Sequence, residues 1–161
     1  MSDHEECRTY LNHVQLQHQH MQQLLERLRS LVVGAKGCSF AFDDAKLLLS
    51  DLGDHLARHI AEEEGGGCID EAVCRCPRLS LQARDLKAQQ PRLVAAIERI
   101  VAKFEGRNRL GTCSFMVEQE IQQLASDLRL YEESERELLA EAFGVDEGCS
   151  THMDTVPHYP K

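Results

Sequence analysis

A spacing of forty-one residues occurs twice in this chain and ties its two halves together. It separates His18 from His59 and Gln90 from Tyr131, and a glutamate, Glu63 or Glu135, follows each second partner after four residues. Moving the first half along by seventy-two positions lays Val14 on Leu86, Met21 on Leu93, Leu25 on Ile97, Leu52 on Leu124 and Leu56 on Leu128. Apolar residues that repeat in this way at helical intervals predict two similar helical hairpins. No stretch alternates at period two for long enough to predict a sheet.

Four helical stripes carry the pattern. The first is Leu11, Val14, His18, Met21, Leu25, Leu28, Val32, ended by Gly34 and Gly37. The second begins after Phe42-Asp43-Asp44, where an aspartate could cap, and runs to Gly65-Gly66-Gly67. The third is Leu86, Gln90, Leu93, Ile97, Ile100, Phe104, stopping at Gly106, and the fourth runs from Val117 to Ala142 and stops at Gly144. Pro91 lies inside the third stripe, which predicts either a bend or a helix that starts near Gln89 after a separate turn. Short connections join the stripes, so the expected architecture is all-α: one antiparallel up-down-up-down four-helix bundle over 1–148 and a C-terminal tail over 149–161.

The polar residues that interrupt the stripes fall at one level of such a bundle. His18 is early in a helix, while His59 and Glu63 are late in the helix running back; Gln90 stands in the same relation to Tyr131 and Glu135. Spacing of i, i+4 stacks each pair on one face. Buried carboxylates without a counter-charge repel each other and raise their own pKa values, and a metal ion is the usual remedy where histidines lie beside them. His18, His59, Glu63 and Glu135 are therefore the expected ligands. Tyr131 is either a further ligand or a buried tyrosine bonded to Glu63 or Glu135, and Gln90 is a polar support for the site or an extra ligand. The recurrence of Ser50-Asp51-Leu52 as Ser126-Asp127-Leu128 allows a register one turn away, which makes His55 a reserve ligand or a neighbour of the site.

Bulk properties narrow the partners. A formal charge of -9 argues against nucleic acid and against an anionic membrane surface. The start Met1-Ser2-Asp3-His4-Glu5-Glu6 lacks a basic, then apolar, leader, and no run approaches the roughly 18 apolar residues that span a bilayer, so a cytoplasmic protein is expected. The seven cysteines are read first as reduced thiols, then as redox-active disulfides, then as a zinc site.

The pattern His18, His59-x-x-x-Glu63, Gln90, Tyr131-x-x-x-Glu135 resembles the hemerythrin-like family, also called the HHE cation-binding domain. That family's four helices carry His, His-x-x-x-Glu, His and His-x-x-x-Glu in turn. The resemblance covers roughly 10–145, with Gln90 where the third His would stand and Tyr131 where the fourth would. It implies a non-heme iron centre of one or two ions that binds or senses dioxygen, peroxide or nitric oxide, or handles iron. The partner is then a small diatomic or peroxide ligand. Because Gln is a poor iron ligand and Tyr binds iron only as a phenolate, the half built on His18, His59 and Glu63 is the one expected to hold an ion. No residue specifies a substrate pocket, so an enzyme is not the expected class, though turnover of peroxide or nitric oxide stays open. The alternatives are a metal-free bundle acting as an interaction module and a cysteine-based redox or zinc sensor.

Overall fold

The computed structural model describes the backbone of residues 3–34, 40–105 and 114–144, and the side chains of 8–33, 43–105 and 116–143. Among these the chain is all helix, with no strand: α1 (Asp3–Gly34), α2 (Phe40–Gly66), α3 (Cys68–Arg75), α4 (Ser80–Glu105) and α5 (Ser114–Leu139). A 3-10 turn, Pro77–Leu79, leads into α4, and a π-helical turn, Ala140–Gly144, follows α5. No helix among the described residues is long and apolar enough to cross a membrane.

The stripes become the core. Met21, Leu25 and Leu28 of α1, Leu49, Leu52 and Leu56 of α2, Leu86 and Ile100 of α4, and Ile121, Leu124 and Leu128 of α5 are fully buried. Each such side chain removed from water contributes about 1.5–3 kcal/mol, so the long helices are held by their shared apolar faces more than by local propensity. Neighbours can be read from side-chain pairs. His13 meets Glu62, Gln17 meets His59 and His20 meets His55, so α1 and α2 run antiparallel. Gln90 with Tyr131 and Lys103 with Glu120 give the same sense for α4 and α5. Glu63 with Gln90 and Lys46 with Glu105 join α2 to α4, while His18 with Glu135 and Gln22 with Glu132 join α1 to α5.

Three boundaries differ from the sequence reading. Helix α2 starts at Phe40, so Asp43 and Asp44 lie inside its first turns rather than capping it; carboxylates there still face the positive end of the helix dipole. Helix α4 starts at Ser80 and continues through Pro91 to Glu105, which removes the alternative start near Gln89. Where only a connection was expected, α3 and the 3-10 turn occupy 68–79 and bury Ile69, Ala72, Cys76 and Leu79.

Gly67 makes this compact turn. Its φ of 63° is left-handed; its N–H bonds the Glu63 carbonyl at 2.9 Å to close α2, and its own carbonyl accepts from Glu71 N–H at 2.7 Å to open α3. The last turn of α2, which carries Glu63, is thereby fixed against α3 and α4. The tail 149–161 and the loops that carry Cys38 and Cys113 lie outside the described residues, as do the side chains of Cys7 and Cys149. Cys76 is disulfide-bonded, which corrects the expectation of thiols throughout. Cys74 is an exposed free thiol, and the Cys68 thiol donates to the Gly66 carbonyl at 3.8 Å.

Candidate metal centre

Four helices deliver six polar side chains to one interior level. His18 comes from the middle of α1, His59 and Glu63 from the last turns of α2, Gln90 from the middle of α4, and Tyr131 and Glu135 from the last turns of α5. All six are buried, with Glu135 and Tyr131 0% exposed and His59 1%. Burial at these positions follows from the stripes, because each side chain replaces an apolar residue on a face that packs inward.

The six divide into two linked groups. In the first, His18 Nε2 and His59 Nε2 both donate to Glu135 Oε2, at 2.8 and 2.9 Å. One ligand atom from each of His18, His59 and Glu135 lies within 4.8 Å of the other two, so this buried group could hold a metal ion. In the second, Glu63 Oε2 accepts from Gln90 Nε2 at 2.5 Å and from the Tyr131 hydroxyl at 3.0 Å, while Gln90 Nε2 lies 3.1 Å from the tyrosine oxygen. Glu63 Oε1 reaches back to within 3.4 Å of His59 Nε2 and joins the groups. Glu63 and Tyr131 therefore stand beside the three-ligand cluster rather than in it, because the carboxylate is turned toward Gln90 and Tyr131. Of the two readings left open for Tyr131, its hydroxyl follows the hydrogen-bonded one, with Glu63 as acceptor.

Charge in this interior is unevenly held. Burial raises the Glu135 carboxyl, but the bonds from His18 and His59, with Glu63 beside it, outweigh burial and hold the group well below the usual carboxylate range. Burial also opposes charge on His59, yet Glu135 and Glu63 push it up to about 10. That agrees with its hydrogen bonds, since Nδ1 donates to Gln17 Oε1 at 2.7 Å while Nε2 donates to Glu135, which only an imidazolium can do. Burial, reinforced by Glu135, raises Glu63 to about 7 against the opposing pull of His59. Burial and the nearby carboxylates of Glu135 and Glu63 raise Tyr131 far above its ordinary value, so its proton stays on the oxygen.

Two oxygens expose what this arrangement lacks. Glu63 Oε1 and Glu135 Oε1 are buried and have no hydrogen-bond partner. An orphaned carboxylate oxygen in an apolar interior costs about 1–3 kcal/mol or more, and both belong to carboxylates that lie against the imidazoles, whose Nε2 atoms suit a metal. The donor set and the orphan oxygens together fit a cation.

Residues that the stripes did not single out complete the site. Gln17 fixes the His59 ring through Nδ1 and is itself held by donating to Glu62 Oε2 at 2.6 Å, an acceptor it shares with His13. A metal-binding imidazole characteristically gives its other N–H to such a partner. Glu132 is 7% exposed, accepts from Gln22 at 2.8 Å, leaves Oε1 without a partner, and is raised by burial to about 7. Its helical spacing from Leu128, Glu135 and Leu139 was a signal the sequence offered. His55 lies outside the cluster, with its Nε2 3.1 Å from His20 Nε2. Two clefts reach the site. One of about 620 Å³ between α2, α3 and α4 ends at Glu63 and Gln90, and one of about 700 Å³ between α1 and α5 ends at His18 and Glu132.

No protein-family model matches the chain, and no curated protein or solved structure is significantly similar to it.

Proposed function

We propose that the chain is a hemerythrin-like, antiparallel up-down-up-down four-helix bundle that holds one non-heme iron and binds or senses a small ligand such as dioxygen, peroxide or nitric oxide. The observation that carries this reading is the buried His18, His59, Glu135 cluster with unpartnered carboxylate oxygens on Glu135 and Glu63. Two imidazoles and one carboxylate with further positions open is the donor set of mononuclear non-heme iron. Iron held there would supply open coordination positions for the ligand.

The chain's own residues divide the remaining work. Gln17 keeps the His59 ring aimed by its bond to Nδ1. Glu63 Oε1, 3.4 Å from His59 Nε2, is the oxygen that would complete the site, while Gln90 and Tyr131 hold Glu63 Oε2 and position the carboxylate. Those bonds occupy the residues that would otherwise serve a second ion, which favours one iron over two. Fully buried Leu56, Leu128 and Leu138 flank the site's residues along α2 and α5, while the two clefts give a small ligand access at Glu63 and His18. Cytoplasmic residence is the sequence's reading alone, and the Cys76 disulfide weighs against it.

The test is metal content with a visible spectrum, on protein purified under reducing conditions and again after anaerobic reconstitution. Wild type is expected to carry about one iron per chain without a tyrosinate charge-transfer band, and His59→Ala to carry none. No iron after reconstitution, or equal iron in His59→Ala, would overturn the reading. In that event the metal-free interaction module gains support from the direct bonds of His18 and His59 to Glu135.

A further inference from the structure

His20 and His55 take no part in the buried cluster, yet they are brought together with care. One projects from α1 and the other from α2, thirty-five residues apart in the chain, and their Nε2 atoms lie 3.1 Å apart. The rings are tilted by 57° with centroids 4.2 Å apart, so they meet at their nitrogen edges as well as overlapping in part. His55 is one turn back from His59, about 6 Å along α2, and the pair opens to solvent where the buried cluster does not.

Two imidazoles bound to one tetrahedral ion at about 2.0–2.1 Å have nitrogens about 3.3 Å apart, and a square-planar ion brings them to about 2.9 Å. The observed 3.1 Å falls between these, so an ion could enter with little motion of either helix. Without an ion the two nitrogens share an N–H···N bond, which satisfies one lone pair and leaves the other histidine as donor. An ion takes both lone pairs at once. Asp51 and Asp54 lie near enough to His55 to interact with its charge. The two aspartates add negative potential on the α2 side.

We propose that His20 and His55 form a second metal site, on the surface, that takes a borderline divalent transition ion such as Ni²⁺, Zn²⁺ or Cu²⁺ through their two Nε2 atoms and ties α1 to α2. Water fills the remaining positions, so the site is exchangeable, and it is independent of what the buried cluster holds.

Titration of the full chain with Ni²⁺, followed by the imidazole resonances in long-range ¹H–¹⁵N spectra, tests it residue by residue. The paramagnetic ion is expected to broaden His20 and His55 together and to raise the melting temperature. His55→Gln keeps a hydrogen-bond partner for His20 but removes the ligand, and it should remove this site's share of both effects, leaving only what an ion at the buried cluster gives; His20→Gln should do the same from the other helix. Both positions open to solvent, so the variants fold. Absence of broadening at His20 and His55 at millimolar Ni²⁺, broadening of one without the other, or a full response retained in His55→Gln would overturn the proposal.

Discussion

At the residue scale the informative group is Glu132, a carboxyl buried beside the centre yet bonded to neither histidine. Burial raises it to about 7 against the opposing His18 and Gln22, whereas an unfolded glutamate titrates near 4.5. Between these values the folded chain binds more protons than the unfolded one, so in the metal-free protein this group makes stability fall as pH rises from 4.5 toward 7. The cost at pH 8 is up to roughly 3 kcal/mol. Glu132→Gln keeps an acceptor for Gln22 and removes the charge. Urea unfolding should find the variant more stable than wild type at pH 8 and equal to it at pH 4; equal stability at both would refute the assignment. The sequence could have yielded Glu132, since Leu128, Glu132, Glu135 and Leu139 share one helical face, but the stripe was read through Tyr131 instead. Gln17 was less accessible, because its role depends on which amide rotamer meets His59 across two helices. His18, His59 and Glu135 were legible because a polar side chain at a position reserved for leucine must be compensated.

At the element scale the hinge between α2 and α3 decides where Glu63 points. Gly67 alone among the described glycines has positive φ, and a Cβ there would touch nothing, so the constraint is the backbone's and not one of space. Gly67→Ala should destabilise by about 1–2 kcal/mol. Gly65 is within α2 and a Cβ there also meets nothing. Gly65→Ala should therefore stabilise by up to about 1 kcal/mol through reduced freedom of the unfolded chain. Denaturant midpoints of the two variants should move in opposite directions, and a shift of the same sign in both would contradict the turn assigned to Gly67. The four long stripes predicted α1, α2, α4 and α5 because periodicity over twenty or more residues leaves little choice. Helix α3 escaped, being eight residues with Ile69 and Ala72 as its buried contacts, too short for a period to declare itself. The register left open by the repeated Ser-Asp-Leu is settled by packing: Tyr131 meets Glu63 and Gln90, while His55 turns to His20.

At the scale of the whole molecule, an acidic chain of net charge -9 draws three glutamates, 63, 132 and 135, into its interior, and its metal-free form manages them with protons. His59 carries a proton on each nitrogen, and Glu63 is raised to about 7, so near neutrality a substantial share of it is protonated. A metal can bind His59 Nε2 only after that proton leaves, and it competes equally with a proton on Glu63. Loading the centre must therefore expel protons, about one from His59 and a fraction of one from Glu63 at neutral pH. The sign follows: affinity for a divalent ion rises with pH, more steeply while both groups give up protons and less so well above pH 7, once Glu63 has ionised and His59 alone contributes. Calorimetric titration with Fe²⁺ under anaerobic conditions, repeated in buffers of different ionisation enthalpy, measures the protons released. Gln17→Leu removes the acceptor that secures the Nδ1 proton, so it should weaken binding while leaving release from Nε2 in place. Uptake of Fe²⁺ with no proton release between pH 6 and 7.5 would mean that the ion does not displace the protons of His59 and Glu63, and the buried cluster would not be its site.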